Sequence, residues 1–123
     1  MARILLVDDN VGFRNMVAMV LEGENHAVFC AGNGNDALKT FALMPFDLVI
    51  TDLVMPDKEG LELIIELRKE SPNGKIIAMT GGGQQKSDTY LSMAKAFGVA
   101  KTLMKPFPSE VLLAAVDSAL AIS

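Results

Sequence analysis

Three carboxylates stand where two apolar runs stop. Asp8 and Asp9 follow Ile4-Leu5-Leu6-Val7, and Asp52 follows Leu48-Val49-Ile50-Thr51. If the two runs are parallel neighbours in one sheet, all three acids meet at one sheet edge. Carboxylates roughly 4 Å apart repel by about 4 kcal/mol at an effective dielectric of about 20, so the cluster needs a proton, a lysine or a hard cation. Thr80 and Lys105 close two further apolar runs and add a hydroxyl and an ammonium. In an open parallel sheet, ligands bind beyond the carboxyl ends of the strands, where the winding direction reverses. A single polar residue after a strand is commonplace, because strands stop where polarity begins. Four such ends carrying complementary chemistry form a more specific pattern.

The elements that must position these groups are legible in the alternation of short apolar runs with longer segments of helical period. That order predicts an α/β domain, a doubly wound (βα)5 arrangement with helices on both faces of a parallel sheet. Strands are expected near residues 3–8, 26–30, 46–51, 74–79 and 99–104, apolar almost throughout, as when both faces are covered. The first helix is expected from Val11 to Glu22, capped by Asn10, with Phe13, Met16, Val17 and Val20 inward and Gly23 at its end. Asn33 or Asn35 can cap the second, where Ala37, Leu38, Phe41 and Ala42 recur before Pro45. Pro56 and Gly60 frame the third, which turns Leu61, Ile64, Ile65 and Leu67 to the sheet; Glu66, Arg68, Lys69 and Glu70 read as its solvated end. The fourth, from Gln84 to Phe97, has a sparse stripe of Tyr90, Met93, Ala94 and Phe97. Pro108 and Ser109 open the fifth, with Val111, Leu112, Ala115, Val116, Ala119 and Leu120 inward.

Composition narrows the class. At 123 residues, half of them hydrophobic and 21% charged, the chain is expected to form one domain over 1–123 with a single core. No apolar run approaches the roughly 20 residues of a membrane span. The start, Met1-Ala2-Arg3-Ile4, enters a strand at once without a cleavable leader, so a cytoplasmic location is expected. Cys30 follows Val28 and Phe29 and reads as a buried, inert thiol. A formal charge of -4 without a basic run argues against direct nucleic-acid contact and for protein partners. His26, the one histidine, falls at a strand start away from the acids and reads as a surface or edge side chain. The 8 methionines suit apolar filling.

Taken together, these residues resemble the receiver domain of two-component response regulators over essentially the whole chain. Leu6-Val7-Asp8-Asp9-Asn10 is similar to the family's acidic pair, and Thr51-Asp52-Leu53-Val54-Met55-Pro56-Asp57 with Gly60-Leu61-Glu62 to its phosphoacceptor segment; Thr80 and Lys105-Pro106-Phe107 complete the pattern. The resemblance implies a flavodoxin-like five-stranded sheet of order 2-1-3-4-5 and Mg²⁺-dependent phosphoryl transfer from a phosphohistidine donor. Asp52 would be the nucleophile. Asp9, Asp52 and the Val54 carbonyl would ligate Mg²⁺, with Asp8 acting through water or an outer contact. Lys105, in a peptide with Pro106 expected to be cis, would reach the phosphoryl oxygens, and Thr80 would donate its hydroxyl to one of them. The implied partners are a sensor histidine kinase or phosphotransfer protein and a downstream protein target or output domain; a phosphorylation-dependent homodimer is a further form the resemblance allows. Such a chain catalyses its own modification rather than acting as a multiple-turnover enzyme.

Two departures stand out. Thr102 occupies the position where receiver domains usually carry Tyr or Phe, so the switch formed by Thr80 and that residue lacks its ring, and Tyr90 or Phe97 could compensate by repacking. Gly81-Gly82-Gly83 follows Thr80, and a loop from Gly81 to Gln85 is expected to order on phosphorylation. Two other function classes remain open. One is an aspartyl-nucleophile hydrolase like the haloacid-dehalogenase-like phosphatases, disfavoured because Val54 stands where those enzymes carry an acid/base aspartate. The other is a phosphate-independent interaction module, to which Thr102 lends support.

Overall fold

The computed structural model describes residues 1–55, 60–81 and 85–122, with the side chains of 85–90 excepted. Pro56, Asp57, the Tyr90 side chain and the 82–84 portion of the expected loop lie outside the described residues. Five strands alternate with five helices: β1 (Arg3–Val7), α1 (Val11–Gly23), β2 (Ala27–Ala31), α2 (Gly34–Leu43), β3 (Leu48–Asp52), α3 (Gly60–Glu70), β4 (Ile76–Gly81), α4 (Gln85–Ala96), β5 (Lys101–Lys105) and α5 (Ser109–Leu120). All neighbouring strands are parallel, in the order β2-β1-β3-β4-β5. The doubly wound α/β fold is therefore the one the alternation of elements implied.

Successive strand residues point to opposite faces, and both faces are covered. Ile4, Leu6, Ile50, Ile77 and Met79 join Val17 and Leu21 of α1 and Leu112, Val116 and Ala119 of α5 in one core. Leu5, Val7, Val49, Ile76 and Ala78 join Leu63, Ile64 and Leu67 of α3 and Ala37 of α2 in the other. The sheet thus separates two cores rather than enclosing one. This explains the apolar runs of the inner strands β1, β3 and β4, which are buried except at Arg3 and Gly81.

Local chemistry sets the helix boundaries. Asn10 accepts from the Phe13 amide and starts α1, and Asn33, not Asn35, accepts from the Asp36 amide and starts α2. The left-handed residue after α1 is Asn25 rather than Gly23, with φ at 66°. Several expected inward residues face out instead: Met16, Ala42, Met93 and Val111 are exposed. Leu21 and Leu63 occupy buried positions that the stripes omitted. A correction also applies to Cys30, which is exposed because β2 is an edge strand. Partial desolvation still pushes its thiol above the usual 9.0 despite the opposing Arg14 charge, consistent with an inert sulfur. No helix among the described residues is long and apolar enough to cross a membrane.

Candidate functional site

Register brings the acids together. Val7 pairs with Thr51, so continuing the two strands by one residue sets Asp8 beside Asp52 at the point where the winding reverses. Asp8 is fully buried and Asp52 is 6% exposed, whereas Asp9 is open to solvent. Each of the three offers a carboxylate oxygen within 4.8 Å of the others. Asp8 Oδ1 accepts from the Asn10 amide at 2.9 Å, which turns the chain from β1 into α1. Asp52 Oδ1 accepts from the Val54 amide at 3.3 Å.

Lys105 reaches this cluster from the far end of the sequence. Its Nζ lies 2.6 Å from Asp8 Oδ2 and 3.1 Å from Asp52 Oδ2, bridging the two buried acids. Burial pushes the Asp52 carboxyl above its usual 3.8; Lys105 opposes this rise, and Asp8 reinforces it. Desolvation would lower the Lys105 ammonium, but its bonds and charge contacts with Asp8 and Asp52 outweigh burial and hold it above the usual 10.5. The Lys105–Pro106 peptide is cis.

Two aromatic rings complete the lysine's setting. Nζ stands 4.4 Å from the centroid of Phe13, a contact that favours the charged ammonium. Phe13 meets Phe107 edge to face, with centroids 5.6 Å apart. Periodicity places Phe13 in a core stripe, and it packs against that core; its position one turn after Asn10 also brings it to the strand ends beside Lys105. Arg14 carries no motif that marks it in the sequence, yet its Nη1 donates to the Asp8 carbonyl at 2.9 Å. A cation in the first turn of a helix opposes the macrodipole, and that local disagreement is the clue that it has a particular partner.

The remaining expected residues fall around this centre. Thr80 is 2% exposed on β4, one residue beyond Met79, the register partner of Asp52. Val54 lies two residues after Asp52 and is half exposed. Thr102 is half-buried on β5 opposite Ala78. Phe97 is exposed at the end of α4. His26 accepts from the Ala2 amide at 3.1 Å, near the opposite ends of the strands from Asp52.

A hard divalent cation fits the donor set. Three carboxylates converge, one of them solvent-facing, and a lysine ammonium already supplies positive charge to two of them. Oxygen donors with an open side suit an ion that retains several waters, as Mg²⁺ does.

Comparisons with known proteins point to a single family. The family model described as the response regulator receiver domain matches residues 4–117. The chain is 34% identical to the transcriptional regulatory protein GlrR of Escherichia coli, over 97% of this chain and 26% of that protein. It is 30% identical to the chemotaxis protein CheY of Listeria monocytogenes, over 97% of this chain and 98% of the other. The chain thus spans about a quarter of such a transcriptional regulator and nearly all of the chemotaxis protein. Among solved structures, a CheY-like receiver domain protein from Methanospirillum hungatei superposes with a TM-score of 0.89 at 28% identity, covering 98% of this chain and 94% of that one. Fold, converging acids and sequence similarity lead to one conclusion: this chain belongs to the response regulator receiver domain family.

Proposed function

We propose that this receiver domain, read as residues 1–123, accepts a phosphoryl group on Asp52 from a phosphohistidine of a sensor kinase or phosphotransfer protein. The observation that carries the proposal is the bridge from Lys105 to both Asp8 and Asp52, because it joins strand ends 97 and 53 positions apart into one charged pocket. An Asp52 carboxylate oxygen attacks phosphorus in line, the new P–O bond forms, and the bond from phosphorus to the donor breaks with its electron pair leaving on the donor. Lys105 keeps the carboxylate's charge compensated before transfer and can follow the phosphoryl oxygens afterwards. Thr80 would donate its hydroxyl to one of those oxygens, and the small Gly81 after it would let a backbone amide approach. Held by Asp9, Asp52 and the Val54 carbonyl, with Asp8 at one remove, Mg²⁺ would offset the negative charge of the acids and of the arriving phosphoryl group.

Downstream, the phosphorylated domain acts on a protein target or an attached output domain. Response regulators as a class work with sensor kinases and output domains. Thr102 changes how the signal leaves the site, because a threonine does not fill or vacate a ring-sized pocket. Incubation with acetyl phosphate and Mg²⁺, followed by intact mass measurement, tests the reading. One phosphate per chain, absent in Asp52→Asn, is the expected result. Multiple turnover of organic phosphates would instead indicate a hydrolase, and no adduct at all an interaction module.

A further inference from the structure

The peptide of Asp52 is held by groups that belong to neither the acidic cluster nor Lys105. Thr51, fully buried, donates its hydroxyl to the Asp52 carbonyl oxygen at 2.9 Å. Gly60, the first residue of α3, lies against the same carbonyl: a Cβ built there would stand 2.0 Å from that oxygen and 2.5 Å from the Leu53 Cα. Unbonded heavy atoms settle roughly 3.5–4 Å apart, so no side chain fits unless the peptide or the helix moves. Among the described residues the positive-φ glycine is Gly98, not Gly60. Space, rather than backbone conformation, is what requires glycine at position 60. The Gly60 amide also donates to the Leu53 carbonyl at 3.0 Å, and the Leu53 amide to the Met79 carbonyl at 2.8 Å.

We infer that Gly60 and Thr51 are positioning residues, a main-chain clamp that sets the Asp52 carboxylate and the Val54 peptide in register with the cation and the phosphoryl group. This rests on the reading of Asp52 as phosphoacceptor. The carboxylate is only a short stem away from the clamped peptide, so displacing that peptide displaces its oxygens. Val54, two residues on, is bound into the same unit because its amide holds Asp52 Oδ1. The bond from the Gly60 amide to the Leu53 carbonyl ties the start of α3 to the same unit. Consequently the start of α3 and the Asp52 peptide move as one body, while Lys105 supports the carboxylate independently from β5.

The test compares the wild type, Gly60→Ala, Thr51→Val and Ile64→Val, the last a core truncation one turn further along α3. Mg²⁺ affinity is measured by calorimetry with the metal alone, and the Val54 amide resonance is followed by NMR in metal-free buffer. Gly60→Ala is expected to weaken Mg²⁺ binding by roughly tenfold, in line with the loss of a supporting contact at a metal site. Thr51→Val is expected to weaken it by roughly threefold, the effect of one neutral hydrogen bond. Both shift the Val54 resonance. Ile64→Val lowers the unfolding midpoint and leaves affinity and resonance unchanged. A folded Gly60→Ala with wild-type affinity and an unmoved Val54 resonance overturns the clamp, as does an Ile64→Val that reproduces the loss. If Gly60→Ala does not fold, Thr51→Val decides by the same two readouts. A wild type that binds no Mg²⁺ and takes no phosphate from acetyl phosphate overturns the reading of Asp52 itself, an outcome visible before any variant is made.

Discussion

At Asp52 the opposing demands of folding and chemistry meet on one carboxyl. Burial raises it, the ammonium of Lys105 pulls it back, and Asp8 adds to the rise. The folded chain therefore keeps this proton to a higher pH than the unfolded chain does. Stability is undiminished below 3.8, the usual value, and falls as pH climbs from there through the raised folded value. Lys105 has the same sign in a higher window: its stabilising contacts persist in full below 10.5 and are lost as pH climbs through its own raised value. Asp52→Asn cannot ionise, so urea unfolding in metal-free buffer is expected to show the acid-side slope flattened. The same variant should be more stable than the wild type at neutral pH, because it avoids ionising a buried carboxyl. A variant less stable than the wild type at neutral pH would mean that the Lys105 attraction outweighs burial. Asp8, Asp9, Asp52 and Lys105 were legible as a set because each closes an apolar run. Phe13, Arg14 and Gly60 were not, because their roles come from what lies across a gap rather than from residue type.

Among the elements, α3 shows how a helix end can look solvated in sequence and serve as a clasp in space. Arg68 Nε donates to the Phe97 carbonyl at 2.8 Å and Nη2 to the Gly98 carbonyl at 2.7 Å. Its Nη1 reaches the carbonyls of Pro72 and Gly74. One guanidinium thereby ties α3 to its own following turn and to the end of α4, where Gly98 takes φ of 77°. Periodicity places Arg68 on the solvated end with Glu66, Lys69 and Glu70, but Glu66 and Arg68 are partly buried and Lys69 and Glu70 are exposed. Arg68→Ala is expected to lower unfolding free energy by roughly 2 kcal/mol, as for lost hydrogen bonds from a charged donor. Amide exchange should accelerate at Ala100, whose amide pairs with the Ile76 carbonyl just beyond the clasp. Unchanged protection at Ala100 would show that β5 is held by its strand pairing alone.

For the molecule as a whole, the decisive fact is that β1 lies between β2 and β3. That order opens a crevice at the carboxyl ends and leaves the two cores, one on each face, to supply most of the stability. A ligand that binds only the folded crevice stabilises the entire fold by mass action. Mg²⁺ at about a hundred times its dissociation constant should raise unfolding free energy by about 2.7 kcal/mol. Thermal unfolding with and without Mg²⁺ at matched ionic strength measures this, and Asp52→Asn should lose most of the gain. An equal gain in that variant would move the cation away from Asp52.

Residue order was enough to establish the alternating elements, the strand-end chemistry and the family, because strand burial, helix capping and acid spacing are written along the chain itself. Asn10 before a helical stripe and Asp52 after an apolar run carry their meaning locally. What required the folded chain was every relation between distant segments. The Lys105 bridge to Asp8 and Asp52, the Phe13 ring beside the ammonium, the Arg68 clasp and the closeness of Gly60 to the Asp52 carbonyl all depend on which elements become neighbours. Those contacts are set by packing across the two faces of the sheet, and packing distances between remote residues leave no period or spacing in a one-dimensional chain.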